Sequence, residues 1–231
     1  MTLKKKINKI LIDPQNWDDY WSRKKSNLIY DIIAYLYRVF LIRPSLNYHI
    51  FKFFKNNDLL LHAGCGGGQV DKHISKKMHI HAFDISKKAL NLYKKNNYSN
   101  IKLVQGSIFH TEFIDKKFDG IYNLGVMEHF DLNDINIILN EFKRILKDEG
   151  TIVLFWPHKK GISVNFIKVI RYLIFRLFKL KIKLHPDEIT YVESKKQIKE
   201  ILNKNNLKLV YYYFGIIDLF TQSVIVAKKN N

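Results

Sequence analysis

The residues best suited to chemistry lie in a glycine-rich turn and at an acidic position that follows it. Positions 64, 66, 67 and 68 are glycines, and they come directly after the apolar run 59–63. Glycine loses more chain entropy on folding than any other residue, so this cluster favours a backbone that approaches a ligand closely. Asp84 lies twenty residues after Gly64, at the end of the apolar run 79–83. A carboxylate there can accept hydrogen bonds from both hydroxyls of a nucleoside ribose.

The spacing of the glycines excludes two common phosphate-binding turns. A dinucleotide-binding fingerprint needs a further glycine at the sixth position, but Gln69 or Asp71 stands there, depending on which glycine starts the count. A phosphate-cradling P-loop needs Gly-Lys followed by Ser or Thr, and that sequence does not follow the turn. What remains is the pattern Gly-x-Gly-x-Gly between a strand and a helix.

Short apolar runs alternate with segments of helical spacing from residue 57 onward. The helical segments are too long for hairpins, so the connections are crossovers and the strands they join are parallel. This alternation predicts an α/β fold, a doubly wound and mostly parallel sheet of seven strands with a helical cap. The predicted strands are 59–63, 79–83, 101–104, 118–124 and 151–156, then an antiparallel pair 207–214 and 222–227; the predicted helices between them are 69–75, 87–95 and 132–147.

Composition narrows the class of protein. The chain has 231 residues, of which 47% are hydrophobic, so it can bury a core and is neither disordered nor collagen-like. Cys65 is the one cysteine, which excludes a disulfide framework, and the first residues lack a secretory pattern. We therefore expect a cytoplasmic protein. The net charge of +18 favours anionic partners, although a general bias toward lysine and asparagine explains it equally well.

Helical patterns precede and follow this alternating region. Residues 1–57 are helical in spacing, with a predicted break at Arg43-Pro44-Ser45 and a second helix over 46–54. The apolar stretch 28–42 is too short and too charged to span a bilayer. Residues 159–183 carry eight Lys or Arg and no acidic residue, which predicts a basic amphipathic helix. This helix either lies on an anionic membrane, covers a lipid-linked or phosphorylated substrate, or packs its apolar face on the domain.

Four motifs in order give the chain a resemblance to the class I S-adenosylmethionine-dependent methyltransferases over residues 59–156. They are the Gly64-Cys65-Gly66-x-Gly68 turn, Asp84 after the second strand, Gly106-Ser107-Ile108 after the third, and a fourth strand that starts Phe118-Asp119 and closes on Glu128-His129. The resemblance implies a Rossmann-like methyltransferase fold and S-adenosylmethionine as the cofactor. The cofactor contacts that it implies are Gly64, Cys65, Gly66, Gly68, Asp84, Ile85, Ser107, Ile108 and Leu124.

The chain departs from the family pattern at three positions. Members usually have Asp or Glu where this chain has His62, and that carboxylate helps to hold the methionine ammonium. Many have Asp at the position of Ser107, which is a weaker acceptor for the adenine amino group. A quinone-methylating branch has a glutamate thought to bind metal where this chain has Gly125. We therefore predict no metal site.

Two histidines are candidate general bases. His129 follows the fourth strand, near the place where the resemblance puts the cofactor methyl group, and imidazole titrates near neutral pH. His158 follows the fifth strand at the same edge of the sheet. Packing or a solvated loop are the alternative roles, and Glu128 is equally ambiguous. In the N-terminal helix, the aromatic residues Trp17, Tyr20 and Trp21 either form a lid over the cofactor or pack as in any amphipathic helix. We interpret Cys65 as a small residue beside the cofactor rather than as a nucleophile.

The resemblance implies a methyltransferase acting on a small-molecule, saccharide or lipid-linked acceptor, with peripheral contact to the inner face of an anionic membrane as a further expectation. An RNA or tRNA methyltransferase is the alternative that the positive charge supports, although nucleic acid is not favoured because no RNA-binding appendage is recognisable. A second alternative is a non-catalytic membrane- or partner-binding protein on a degenerate methyltransferase fold. We divide the chain into an N-terminal helical cap (1–57), a cofactor-binding core (58–157), a basic cap insertion (158–190) and a C-terminal helix and strand pair (191–231).

Overall fold

A computed structural model describes residues 13–22, 35–97, 99–162 and 188–230, which form one seven-stranded sheet covered by helices. Short turns of other helix types lie at Arg38–Ile42 (π), Met127–His129 and Ile216–Asp218 (3₁₀). The strands are β1 Leu59–Ala63, β2 His79–Asp84, β3 Ile101–Gln105, β4 Phe118–Leu124, β5 Leu146–Pro157, β6 Leu207–Tyr213 and β7 Gln222–Lys229. The α-helices are α1 Pro14–Ser22, α2 Arg43–Phe53, α3 Lys87–Asn96, α4 Leu132–Ile145 and α5 Lys195–Lys204.

The order of the strands brings the predicted motifs to one edge. The sheet runs β3-β2-β1-β4-β5-β7-β6, with β7 antiparallel to both of its neighbours and the other pairs parallel. The order reverses between β1 and β4, so the carboxyl ends of β1, β2 and β4 meet around the switch point. Ligands of open α/β sheets bind outside the carboxyl ends of the strands at such a point.

Both faces of the sheet are covered, as a doubly wound fold requires. Alternate residues of a strand point to opposite faces. In β5, Ile152, Leu154 and Trp156 join the core formed with α4 and α5, whereas Val153 and Phe155 join the core formed with α2 and α3. The predicted α/β class and the seven strands are confirmed, and the predicted boundaries of β1 and β4 agree with the structure.

The predicted helix break at Pro44 is wrong. The chain is helical without interruption through residues 35–37, the π-turn Arg38–Ile42 and α2. Pro44 lies in the first turn of α2. In the π-turn the Arg43 amide donates to the carbonyl of Arg38, five residues back. Proline lacks an amide proton and crowds the carbonyl four residues before it, so a wider turn at this point accommodates its ring.

The predicted helix 69–75 is also wrong, because this segment consists of turns. Its side chains are tied elsewhere: the Asp71 carboxylate reaches His62 and Tyr93, and Arg43 Nη2 donates to the carbonyl of Gln69 at 2.5 Å. The helix predicted over 132–147 ends at Ile145, and β5 begins at Leu146 rather than at residue 151.

Most of the predicted basic helix 159–183, and most of the N-terminal cap 1–57 before α2, lie outside the described residues. None of the helices in the described ranges is long and apolar enough to cross a membrane.

Candidate active site

The glycine turn after β1 adopts a backbone that only glycine tolerates well. Gly64, Gly66 and Gly68 have φ angles of +70°, +52° and +64°. A side chain would also lack space, since a Cβ at Gly64 would overlap Val126 and one at Gly68 would overlap the ring of Tyr93. The turn therefore requires these glycines for its shape and for the close approach of its neighbours.

Neighbouring elements hold the carbonyls and first amides of this turn. The Gly64 and Cys65 amides donate to the carbonyl of Phe83 at 2.8 and 3.1 Å. At the end of α3, Asn96 Nδ2 donates to the Gly67 carbonyl at 2.6 Å and Asn97 Nδ2 to the Gly68 carbonyl at 2.9 Å. These bonds fix the turn in the protein alone, so a ligand need not order it.

Asp84 ends β2 directly opposite the turn. Its Oδ2 accepts from the Gly66 amide at 2.8 Å and its Oδ1 from the Ser86 amide at 2.9 Å. Burial raises the pKa of this carboxyl, and the Ser86 and Gly66 amides oppose that rise. Each carboxylate oxygen has a second lone pair, so Asp84 can still accept from two hydroxyl groups.

The loop after β3 lies beside Asp84. The Gly106 amide donates to the carbonyl of Asp84 at 3.0 Å, and Ser107 Oγ accepts from the Phe109 amide at 3.4 Å. Ile108 is buried. Nearby, the carbonyl of Ile85 accepts from Gln105 Nε2 at 3.1 Å. Leu124, at the end of β4, is partly buried against the core under α2 and α3.

Helix α1 lies across the glycine turn. A Cβ placed on Gly66 would be 2.8 Å from Cζ2 of Trp21, so this ring covers the turn directly. Asp18 anchors the helix, because its Oδ1 accepts from Ser86 Oγ at 2.5 Å and from the Lys88 amide at 3.1 Å. The ring of Trp17 meets the ring of His129 edge to face, with 5.6 Å between centroids. The aromatic residues of α1 therefore cover both the glycine turn and the end of β4.

Glu128 and His129 lie in the single helical turn Met127–His129 after β4, and both are buried. Among the described residues, Oε2 of Glu128 has no hydrogen-bond partner. Burial raises the pKa of Glu128 to about 8; its own amide opposes this rise and the charge of Glu188 adds to it. Glu128 is thus a buried carboxylic acid that holds a proton at neutral pH.

His158 and Cys65 are in surroundings that suit packing rather than reaction. The ring of His158 stacks on Phe214 at 4.0 Å, and its Nδ1 accepts from the Lys160 amide at 3.0 Å. This bond occupies the lone pair with which the neutral imidazole would accept a proton. Burial and the positive charge of Lys160 both lower the pKa of His158. Burial, with the charges of Asp84 and Asp71, raises the pKa of the Cys65 thiol well above its ordinary value, so it is no thiolate nucleophile.

Comparison with known proteins decides the family. A family model described as a methyltransferase domain matches residues 61–154, which contain the glycine turn, Asp84 and the Glu128-His129 pair. Residues 61–154 form a methyltransferase domain, and the chain is similar to class I S-adenosylmethionine-dependent methyltransferases. The predicted family, fold, enzyme class and cofactor are thereby confirmed. A search of curated proteins finds no match.

Solved methyltransferase structures share the fold over most of the chain. Magnesium protoporphyrin IX methyltransferase from Synechocystis PCC 6803, with bound S-adenosylhomocysteine, has a TM-score of 0.65 and 16% identity and covers 97% of this chain and 99% of its own. A methyltransferase from Methanosarcina mazei has a TM-score of 0.59 and 19% identity, covering 78% and 96%. A TehB-like methyltransferase from Corynebacterium glutamicum has a TM-score of 0.56 and 16% identity, covering 81% and 86%.

The structure shows a buried carboxylate beside the glycine turn that sequence reasoning missed. Nδ1 of His62, in β1, lies 2.5 Å from Oδ2 of Asp71, which also accepts from the Tyr93 hydroxyl at 2.7 Å. The His62 ring stacks on Tyr122 at 4.2 Å, and His62 and Asp71 are fully buried. Asp71 therefore holds a buried carboxylate beneath the turn. No spacing rule could have found it, because the predicted helix 69–75 gave Asp71 no special position.

Proposed function

We propose that this methyltransferase binds S-adenosylmethionine along the glycine turn, with the ribose on Asp84, and transfers its methyl group to a small molecule with an apolar face. The observation that carries this proposal is the Asp84 carboxylate, which lies against the Gly66 amide and retains a lone pair on each oxygen. When bound, S-adenosylmethionine supplies a methyl group on a sulfonium centre that needs no further activation.

The residues around the turn then have separate tasks. Gly64, Gly66 and Gly68 give the turn its left-handed backbone and its close packing, and the methionine part binds along that backbone. Ser107 and Ile108, next to Asp84, flank the adenine. Trp21 covers the turn and excludes water, which strengthens the electrostatic contacts inside. Most of the rate enhancement then comes from holding the reactants together in a dry site.

In this proposal Glu128, which precedes His129 in the chain, takes a proton from the acceptor. A base is most effective when its pKa lies near the working pH, and burial brings the pKa of Glu128 to about 8. Its backbone is also fixed, since its carbonyl accepts from the amides of Ile189 and Thr190 at 2.6 and 3.0 Å.

An acceptor of limited size is supported by a cavity next to this segment. The cavity has a volume of about 270 Å³ and lies between the start of α4, the end of β5 and residues 189–197. Leu132, Trp156 and Ile189 form its apolar wall, and Lys159 and Glu193 form an ion pair at 2.6 Å on its rim. The Synechocystis relative, whose name gives magnesium protoporphyrin IX as its acceptor, also acts on a small molecule.

A thermal-shift titration with S-adenosylmethionine, S-adenosylhomocysteine and NADH tests the cofactor site. A ligand at a hundred times its Kd stabilises the native state by about 2.7 kcal/mol, so both adenosyl compounds raise Tm and NADH does not. Asp84→Ala abolishes this rise. Asp119→Ala is the matched control, because Asp119 also accepts a backbone amide, that of Leu59 at 2.9 Å, but lies at the opposite edge of the sheet. An unchanged rise in Asp84→Ala would contradict the proposed ribose site.

A further inference from the structure

The connection between β6 and β7 exposes large apolar side chains. Ile216, Leu219 and Phe220 are 73%, 52% and 42% exposed. Leu219 and Phe220 have φ angles of +51° and +57°, a left-handed conformation that costs bulky residues about 1–2 kcal/mol each. Beneath them, buried Asp218 accepts from the Gln222 amide at 2.9 Å and fixes the connection. Strain of this kind persists where the surrounding structure enforces it, and it is concentrated at functional sites.

This connection lies at the edge of the sheet that carries the active site. Gln222 pairs with Pro157 at the carboxyl end of β5, which places residues 214–221 beyond that end. Ile162, 53% exposed, donates its amide to the Phe220 carbonyl at 3.0 Å. The π-turn before α2 contacts the turn Ile216–Asp218 and exposes Phe40 by 71%. We call Leu36, Phe40, Ile162, Ile216, Leu219 and Phe220 the apolar rim.

The segment that follows Ile162 of the apolar rim in the sequence is strongly basic. In the sequence, residues 159–183 carry eight Lys or Arg and no acidic residue, and Ile162 of the rim belongs to this stretch. The whole chain has a net charge of +18. Exposed apolar side chains flanked by basic residues are the combination that binds the surface of an anionic bilayer, since the first insert among the lipids and the second attract the headgroups.

We propose that the apolar rim docks this methyltransferase onto an anionic lipid bilayer, with the carboxyl edge of its sheet toward the membrane. A second copy of the chain is a poor occupant of the rim, because two chains that each carry a net charge of +18 repel one another. An RNA partner would use the positive charge but leaves the exposed apolar side chains unexplained. The proposal goes beyond methyl transfer, because membrane docking does not depend on which acceptor the site takes.

Vesicle flotation with the full chain tests the docking surface. The vesicles contain either phosphatidylcholine alone or equal parts of phosphatidylcholine and phosphatidylglycerol. We expect binding to the anionic vesicles only, and a loss of about tenfold or more in Ile216→Glu, which puts a charge where an apolar side chain enters the lipid. Phe40→Glu gives a similar loss, which shows that both parts of the rim act together.

Ile114→Glu is the matched control. Ile114 is 74% exposed, as Ile216 is, but it precedes β4 at the opposite edge of the sheet, two residues before Lys116, whose amide bonds to the end of α4. This variant binds vesicles as the wild type does, and all three variants keep the wild-type Tm. Lack of wild-type binding to anionic vesicles, or equal binding by Ile216→Glu, would overturn the proposal. Two other results for Ile216→Glu, each with vesicle binding unchanged, would also overturn it. A change from dimer to monomer would mean that a second copy of the chain covers the rim. A drop in Tm would mean that the chain itself covers the rim.

Discussion

Replacing Glu128 by glutamine has a different effect on stability at each pH. In the folded protein the pKa of Glu128 is about 8, because its carboxyl is buried, whereas the ordinary value is 4.5. Between these two values the unfolded chain releases a proton that the folded protein retains, so wild-type stability falls as pH rises. Each pH unit costs about 1.4 kcal/mol, which amounts to about 5 kcal/mol between pH 4.5 and 8. Glutamine has nothing to release, so Glu128→Gln escapes this loss.

Chemical denaturation at a series of pH values measures the difference. We expect Glu128→Gln and the wild type to be equally stable near pH 4, and the variant to be several kcal/mol more stable at pH 8 and above. Glu141→Gln is the control of opposite sign. Burial would raise the pKa of Glu141, but hydrogen bonds from Arg144 and Thr111 outweigh it and lower the pKa to about 2. This variant is therefore less stable than the wild type at pH 7, and its deficit shrinks as pH falls from 4.5 toward 2.

Activity gives a second measurement on the same variant. If Glu128 removes a proton from the acceptor, wild-type kcat falls about tenfold per pH unit below pH 8, while Glu128→Gln loses that pH dependence and about a hundredfold or more in kcat. A stability difference that does not change between pH 4 and 9 would refute the assignment of a buried, protonated carboxyl. A pH-dependent stability difference with unchanged kcat would leave Glu128 buried as described but refute its role as the base.

Four further substitutions test the turn and its surroundings. Gly68→Ala should lower the free energy of unfolding in urea by about 2–4 kcal/mol, because it adds a clash with Tyr93 to the backbone strain at φ +64°. Gly125→Ala is the control: at φ +72°, with the nearest atom 3.7 Å from the added Cβ, it should cost only the backbone strain of about 1–2 kcal/mol. Asp71→Asn should lower stability by about 1–3 kcal/mol and raise the Kd for S-adenosylmethionine in calorimetry, because a neutral amide oxygen is a weaker acceptor than the carboxylate oxygen that contacts both His62 and Tyr93. Trp21→Phe should abolish the tryptophan fluorescence change that S-adenosylmethionine produces.

The fold and the main site were accessible from the sequence because they depend on local patterns. Apolar runs of strand length, separated by helical segments, determine a doubly wound sheet. The glycine turn and Asp84 were predictable for a related reason: a parallel sheet places the ends of β1 and β2 at one edge, whatever the loops do. In the structure the two are joined by the bond from the Gly66 amide to Asp84.

The features that could not be predicted depend on contacts between distant residues. No repeat of apolar residues in the sequence predicts the π-turn that accommodates Pro44. None predicts the contact between the side chains of Asp71 and His62. The anchoring of α1 by Asp18 on Ser86 joins residues far apart in the chain, and exposure of the apolar rim appears only once the β6–β7 connection is folded.

Asp84 and Glu128 show how surroundings divide the work between two buried carboxyl groups at one edge of the sheet. Burial raises the pKa of both. Two backbone amides donate to Asp84 and favour its charged form, which is the form that accepts hydroxyl groups. Oε2 of Glu128 receives no such donor from the described residues, so Glu128 keeps its proton until about pH 8. We therefore propose different roles for the two groups: Asp84, with a donor on each oxygen, binds the ribose, and Glu128, with no donor on Oε2 from the described residues, takes the proton.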